Sequence, residues 1–218
     1  MARKKKIKSS DIVKFYMDYV LEHDHKPKSV YAFAKANDFD EADFYSFFSS
    51  FEALDNQVFK IMYDATTEAL ESSEDYQSFD ARQRLLSFYF TFFENLTANR
   101  SFVLFLLGHG KINLKQLKVL APLKKEFGKY IEELDIETIE IKQEQVDRIK
   151  ERSIRETAWI QFLITLKFWM EDSSPGFEKT DIFIEKAVNT SFDLIDIKPI
   201  KSLIDLGKFL VKEKMHMN

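Results

Sequence analysis

The chain of 218 residues contains no cysteine, and its glycines and prolines number only five and four. Without thiols it can form neither a disulfide nor a thiolate metal site, which fits a cytoplasmic location. All-β folds and folds with glycine-rich loops need more glycine and proline than this chain has. The scarcity of these two residues therefore favours a helical protein. The longest apolar run, Phe102 to Leu107, is far too short to cross a bilayer. We therefore expect an all-α protein with no membrane span.

Motifs of catalytic and metal sites are also missing. No glycine-rich phosphate loop, Ser/His/Asp pattern or metal-spaced set of carboxylates occurs. His23 and His25 are two residues apart and would face different sides of a helix, so a shared metal ion is not expected. We expect no enzymatic activity, no metal and no cofactor.

The first 70 residues have the pattern of three short helices and a longer fourth one. An apolar stripe recurs at helical spacing after Ser10. A second helix is predicted over Ser29–Ala36 and a third over Glu41–Phe48, with a turn between them and Asp40 as the N-cap. The fourth helix follows a cap at Ser49 or Ser50 and runs to about Leu70.

This order of helices resembles the TetR family of bacterial transcription regulators. The resemblance is most specific over residues 33–54, where an apolar-Ala pair, a turn, an aromatic pair and a Phe precede a capped helix that opens with Glu-Ala-Leu. The matching residues are Phe33, Ala34, Ala36, Phe39, Asp40, Phe44, Tyr45, Phe48, Glu52, Ala53 and Leu54. The resemblance implies a basic arm over residues 1–8, a helix-turn-helix head over 9–55, and a helical ligand-binding and dimerisation domain over 56–218.

The second half of the chain matches the family only as an architecture. Residues 159–195 look like the helix pair through which two subunits form a four-helix bundle, because both helices are apolar on more than one face. The alternative is a pair buried within one monomer. The residues expected at the dimer seam are Leu163, Leu166, Phe168, Met170, Phe183 and Ala187.

The 22 phenylalanines indicate a bulky core, an apolar cavity, or both. The segment Leu85–Phe93 is apolar nearly all round, as a central buried helix is. Family members bind an apolar effector inside the C-terminal helices, which implies a similar ligand cavity here, although the same rings can simply fill the core. The candidate cavity residues are Phe88, Phe92, Phe102, Phe105, Trp159 and Phe162.

The head departs from the family in its charge. Asp38 stands where the turn commonly has Gly, Phe51 stands at a usual Lys, and the recognition helix carries Glu41 and Asp43. The segment Ser9–Lys60 holds ten acids and five bases, a net charge of −5, which the five bases of the arm only cancel. The acids are Asp11, Asp18, Glu22, Asp24, Asp38, Asp40, Glu41, Asp43, Glu52 and Asp55, and the bases are Lys14, Lys26, Lys28, Lys35 and Lys60.

The resemblance implies a homodimeric, ligand-responsive regulator that binds double-stranded DNA. Because the usual phosphate contacts are missing, Lys26, Lys28, Lys35 and the arm must replace them. The residues expected at the DNA are Arg3, Lys4, Lys5, Lys6, Lys28, Ser29, Lys35, Glu41, Asp43, Tyr45 and Ser46. The alternative for the arm is a solvated tail. The alternative for the protein is a TetR-like fold that binds a lipid or isoprenoid and has lost DNA binding.

Overall fold

A computed structural model describes residues 7–108, 117–134, 136 and 144–196. Within these ranges the chain forms nine α-helices and no strand, which confirms the all-α class. The helices are α1 (Ser9–His23), α2 (Val30–Ala36), α3 (Glu41–Phe47), α4 (Phe51–Glu71), α5 (Ala81–Ala98), α6 (Arg100–Leu107), α7 (Ala121–Glu133), α8 (Glu144–Glu171) and α9 (Glu178–Asp196). None of these helices has the length and hydropathy needed to cross a membrane.

The chain divides into two compact units. The head unit comprises the residues up to Ala69 together with Thr91–Phe127, and the carboxyl unit comprises Leu70–Phe90 together with the residues from Gly128 onward. Residues 1–6 of the predicted arm and residues 109–116, 135, 137–143 and 197–218 lie outside the described residues.

The core of the head unit includes Phe33, Phe39, Phe44 and Phe48, which carry the resemblance described above. Phe33 and Phe44 are fully buried, and their rings meet edge to face with centroids 6.3 Å apart. Tyr16 of α1 stacks on Phe51 of α4 at 5.3 Å, and Phe33 meets Phe51 at 5.5 Å. Burying one such ring is worth about 1.5–3 kcal/mol, so this cluster holds the short helices α2 and α3, which could not persist alone.

The cap expected at Ser49 or Ser50 forms, the side-chain cap expected at Asp40 does not, and Ser29 is a cap that was not predicted. Ser29 Oγ accepts a hydrogen bond of 3.2 Å from the Ala32 amide at the start of α2. Ser50 Oγ, and not that of Ser49, accepts one of 3.1 Å from the Ala53 amide at the start of α4. Asp40 holds the N-cap position of α3, but its side chain accepts no capping hydrogen bond.

The carboxyl unit contains the antiparallel pair of α8 and α9. Phe168 and Phe183 stack with ring centroids 4.6 Å apart, and Ser191 donates a hydrogen bond of 2.6 Å to Gln161 Oε1 at the other end of the pair. The two helices are joined through a 3₁₀ turn, Pro175–Phe177, so α9 begins at Glu178, slightly before the predicted start.

Asp172 lies in the connection between α8 and α9 and is buried. Its Oδ1 accepts hydrogen bonds from the amide and hydroxyl of Ser174, at 2.8 and 2.7 Å. Its Oδ2 accepts bonds from the amide and hydroxyl of Thr180, at 2.9 and 2.7 Å. Burial opposes ionisation, but these four donors outweigh it and lower the pKa of Asp172 to about 2. The carboxylate therefore fixes the start of α9 relative to the end of α8.

Candidate nucleic-acid interface

The turn between α2 and α3 is closed by backbone bonds that follow from its sequence. The amide of Phe39 donates to the Ala34 carbonyl at 3.1 Å, and the side-chain amide of Asn37 donates to the Phe33 carbonyl at 2.9 Å. Between them, Asp38 adopts a left-handed conformation with φ of 57°. That conformation favours glycine, which explains why the family commonly has Gly there, and Asp is one of the few other residues that tolerate it.

The outward face of α3 is neutral. Phe44 points into the core, so Ala42 and Ser46, which lie opposite it on the helix, are exposed. Tyr45 flanks them with 53% of its surface exposed. Glu41 and Asp43, predicted to face DNA, are only half-exposed and lie to the sides of this face.

Polar groups on α3 make local contacts. The Ser46 hydroxyl donates to the Asp43 carbonyl at 2.7 Å, and the Tyr45 hydroxyl makes a long bond of 3.4 Å to Glu41 Oε1. Ala42, which is not among the residues predicted at the DNA, is exposed on the outward face of α3, opposite the buried Phe44.

Of the predicted phosphate contacts, Lys28 and Lys35 are exposed, and Ser29 is exposed while its hydroxyl caps α2. Arg3, Lys4, Lys5 and Lys6 lie outside the described residues.

Lys26 has a different role. Its Nζ pairs with Oδ2 of Asp55, which is buried, and Asp55 Oδ1 accepts a hydrogen bond of 2.7 Å from the Tyr16 hydroxyl. Burial, reinforced by the neighbouring carboxylate, raises the pKa of Tyr16, so the phenol stays protonated and remains a donor. This network joins the α1–α2 loop to α1 and α4. Lys26 and Asp55 neutralise each other, and Lys26 is not free to neutralise a phosphate.

Between α2 and the first turn of α4 the exposed acids are Asp38, Asp40 and Glu52, and three more, Asp18, Glu22 and Asp24, are exposed on α1 and at its carboxyl end. An acid about 4 Å from a phosphate costs about 4 kcal/mol at an effective dielectric near 20, before screening by salt. On and beside α3, Asp38, Asp40 and Glu52 are thus more exposed than Glu41 and Asp43.

The rings predicted to line a ligand cavity are mostly buried. In the carboxyl unit, Phe162 is fully buried, stacks on Trp159 at 5.2 Å and lies 6.0 Å from Tyr89. Phe88 is also fully buried and packs on Tyr130 at 4.8 Å.

The other three predicted cavity rings belong to the head unit. Phe92 and Phe102 are fully buried there, Phe102 lies edge-on to Tyr16, and Phe105 is half-buried. A ligand cavity among the six rings stays a prediction.

The residues predicted at a dimer seam differ in exposure. Leu166 and Met170 are buried within the carboxyl unit, whereas the other four, Leu163, Phe168, Phe183 and Ala187, are half-buried. Among the described side chains of α8 and α9, the large aliphatic residues that are exposed are Ile160, Ile164, Ile182 and Leu194, at 56%, 53%, 51% and 47%. Ile160 and Ile164 lie one turn apart on α8, beside the predicted residue Leu163.

In the part of the chain that the structure describes, no three His, Asp or Glu side chains are arranged to hold a metal ion. His23 stacks on Tyr19 at 4.1 Å, and its Nδ1 lies 2.9 Å from the Tyr19 carbonyl oxygen.

A comparison with protein families matches residues 84–210 to the family model described as tetracyclin repressor-like, C-terminal domain. The match begins in α5, includes α8 and α9, and spans more than half of the chain. A search of curated proteins finds no match. The family match shares no residue with the segment 33–54, on which the resemblance of the head rests, so the two findings are independent.

Proposed function

The chain belongs to the TetR family of transcription regulators, and from that premise we propose that it is a cytoplasmic homodimer that binds double-stranded DNA through α2 and α3. A small apolar ligand in the carboxyl part would control this binding. The observation that carries the proposal is the neutral outward face of α3, which a major groove can accept despite the acidic composition of the head.

We assign readout of bases to Ala42 and Ser46. A major groove admits an α-helix, and an exposed methyl group there can contact the methyl group of thymine. The Ser46 hydroxyl can donate to or accept from a base edge. Asp43, at the side of the face, can accept a hydrogen bond from a cytosine amino group. Tyr45 is placed to donate to a phosphate, which positions the helix without reading sequence.

Electrostatic attraction to the DNA phosphates must come from a small number of Lys and Arg side chains. Lys28 and Lys35 are exposed on the head, and the arm supplies Arg3, Lys4, Lys5 and Lys6. Each phosphate contact by a Lys or Arg steepens the log–log fall of affinity with salt by about 0.9. We therefore propose that the arm supplies an unusually large share of the affinity.

Dimerisation is supported by the exposed aliphatic residues on α8 and α9. Two heads held at a fixed spacing can read two half-sites of an operator. A ligand controls such binding only if it prefers one spacing of the heads over the other. Of the six rings predicted above to line an effector cavity, we propose that Phe88, Trp159 and Phe162 of the carboxyl unit contact the apolar effector.

The test is selection of bound fragments from a genomic DNA library at low and at moderate salt. A defined sequence should be enriched. A variant with Arg3, Lys4, Lys5 and Lys6 all changed to Gln should bind all sequences more weakly, with a salt slope flatter by several units, counting both arms of a dimer. Tyr45→Phe is the matched control: it should weaken binding with little change in slope, because its hydroxyl is neutral.

If no sequence is enriched at either salt, the regulator proposal fails. The exposed acids Asp38, Asp40 and Glu52 then favour a second function, a TetR-like protein that binds a lipid or isoprenoid and no DNA. If enrichment persists with an unchanged slope in the arm variant, the regulator stands and the role of the arm is wrong.

A further inference from the structure

A half-open groove of about 600 Å³ lies within the head unit, between α1, Ile61 of α4 and the junction of α5 with α6. Of the six rings predicted above to line an effector cavity, it is lined only by Phe102. Its volume lies in the range of about 300–1,000 Å³ that is usual for small-molecule sites.

The floor of the groove is apolar. Val13 and Phe102 are buried beneath it, and Met17 and Ile61 are half-buried along it. Leu21 lies on α1 at the surface and is half-exposed. Such a surface favours the hydrocarbon part of a ligand, because covering it removes apolar area from water.

The ionisable residues that line the groove are Lys14, Asp18 and Arg100, which together carry one net positive charge. Lys14 is exposed and, within the described part of the chain, has neither a hydrogen-bond partner nor an ion-pair partner. Asp18, one helical turn away on α1, makes no hydrogen bond or ion pair with Lys14. A carboxylate is the group that an ammonium and a guanidinium bind best together.

We propose that this groove binds a single-chain amphipathic carboxylate, with its hydrocarbon chain on the floor of Val13, Met17, Ile61 and Phe102 and its carboxylate against Lys14 and Arg100. This site is separate from the effector cavity proposed above and does not depend on DNA binding. Because the groove is lined by both α1 and α6, an occupant joins the first helix of the head to the segment that follows α5. It therefore stabilises their packing.

The experiment is isothermal titration of the full chain with dodecanoate below its critical micelle concentration, beside dodecanol as the neutral analogue. We expect one saturable site per chain, with dodecanol bound at least tenfold more weakly. Lys14→Gln should weaken dodecanoate about tenfold and leave dodecanol unchanged. Lys35→Gln is the matched control, an exposed lysine outside the groove, and should change neither.

A second variant keeps the test independent of charge. Ala98, exposed at the groove, can be replaced by Trp without disturbing the core, and Ala98→Trp should abolish binding of both ligands. Absence of dodecanoate binding overturns the proposal, as does equal affinity for the alcohol. Dodecanoate binding that survives both Lys14→Gln and Ala98→Trp places the carboxylate elsewhere and overturns it too.

Discussion

The Tyr16 hydroxyl donates a 2.7 Å hydrogen bond to Oδ1 of Asp55, and the two residues lie 39 positions apart in the chain. Because Tyr16 is fully buried and Asp55 nearly so, neither can exchange this bond for one with water. The bond fixes α1 against the first turns of α4, and Lys26 extends it to the loop that leads into α2.

Tyr16→Phe removes only the hydroxyl, and we expect it to lower the free energy of unfolding by about 1–3 kcal/mol, since a buried carboxylate then lacks a donor. Urea denaturation measures the loss. Tyr31→Phe is the control, because Tyr31 is exposed on α2 in the same unit and should cost little. If Tyr16→Phe and Tyr31→Phe have equal free energies of unfolding, the hydrogen bond from Tyr16 to Asp55 does not contribute to stability.

Asp38→Gly should stabilise the protein by about 0.5–1 kcal/mol, because Asp38 has a φ of 57° that glycine adopts without strain. Asp38→Asn distinguishes the effect of backbone strain from that of charge. It removes the charge, and Asn adopts the left-handed conformation about as readily as Asp does. We expect only Gly to raise stability, whereas both variants should bind DNA more tightly at low salt. Thermal unfolding and DNA titration test this. A rise in affinity with Gly alone would mean that the charge of Asp38 is irrelevant.

Asp172→Asn should destabilise the protein at neutral pH in a way that disappears in acid. The folded pKa of Asp172 is about 2, below its usual 3.8, so its ionised form stabilises the folded state. That contribution, about 2 kcal/mol, is fully present above the usual pKa and is lost as the pH falls through the folded value. The stability difference between the native chain and the variant should therefore narrow between about pH 4 and pH 2.

Urea denaturation between about pH 4 and pH 2 measures this difference in the free energy of unfolding. Asp75→Asn, at an exposed carboxylate, should show no such trend. A difference for Asp172→Asn that is independent of pH would mean that the lost interaction is not ionic.

Ile164→Glu should convert the proposed dimer to a monomer, because the side chain is half-exposed on α8 and a charge there cannot enter an apolar seam. It is a sharper probe than Phe168→Glu or Phe183→Glu, since those rings stack on each other and their loss would also damage the monomer. Light scattering at micromolar concentration measures the mass. Leu21→Glu, the same kind of change on α1, should leave the dimer intact. A native chain that is already monomeric contradicts the proposal.

The elements of this fold were predictable where they depend on neighbours in sequence. The spacing of Phe33, Phe44 and Phe48 fixes which faces of α2 and α3 turn inward, and the cap at Ser50 acts within one turn of its helix. Pro122 is the second residue of α7, where a missing amide costs nothing.

What the sequence could not predict depends on contacts across long separations. From the sequence, Lys26 was one of the lysines expected to contact DNA phosphates. Its ion pair with Asp55 is visible only in the folded structure. The groove beside Lys14 likewise requires α1 to meet the junction of α5 with α6, although even the nearest lining residues of the two walls, Leu21 and Thr97, are 76 positions apart in the chain. Single residues on α1 give no sign of such a site.

The exposed isoleucines of α8 also bear on how the amount of protein in a cell determines its effect. A free chain keeps Ile160 and Ile164 exposed to water, at a cost that the proposed association with a second copy would remove. If only the pair can read DNA, the active species at low expression rises with the square of the chain concentration. A modest change in gene dosage or turnover would then change operator occupancy more than proportionally, before any effector is bound.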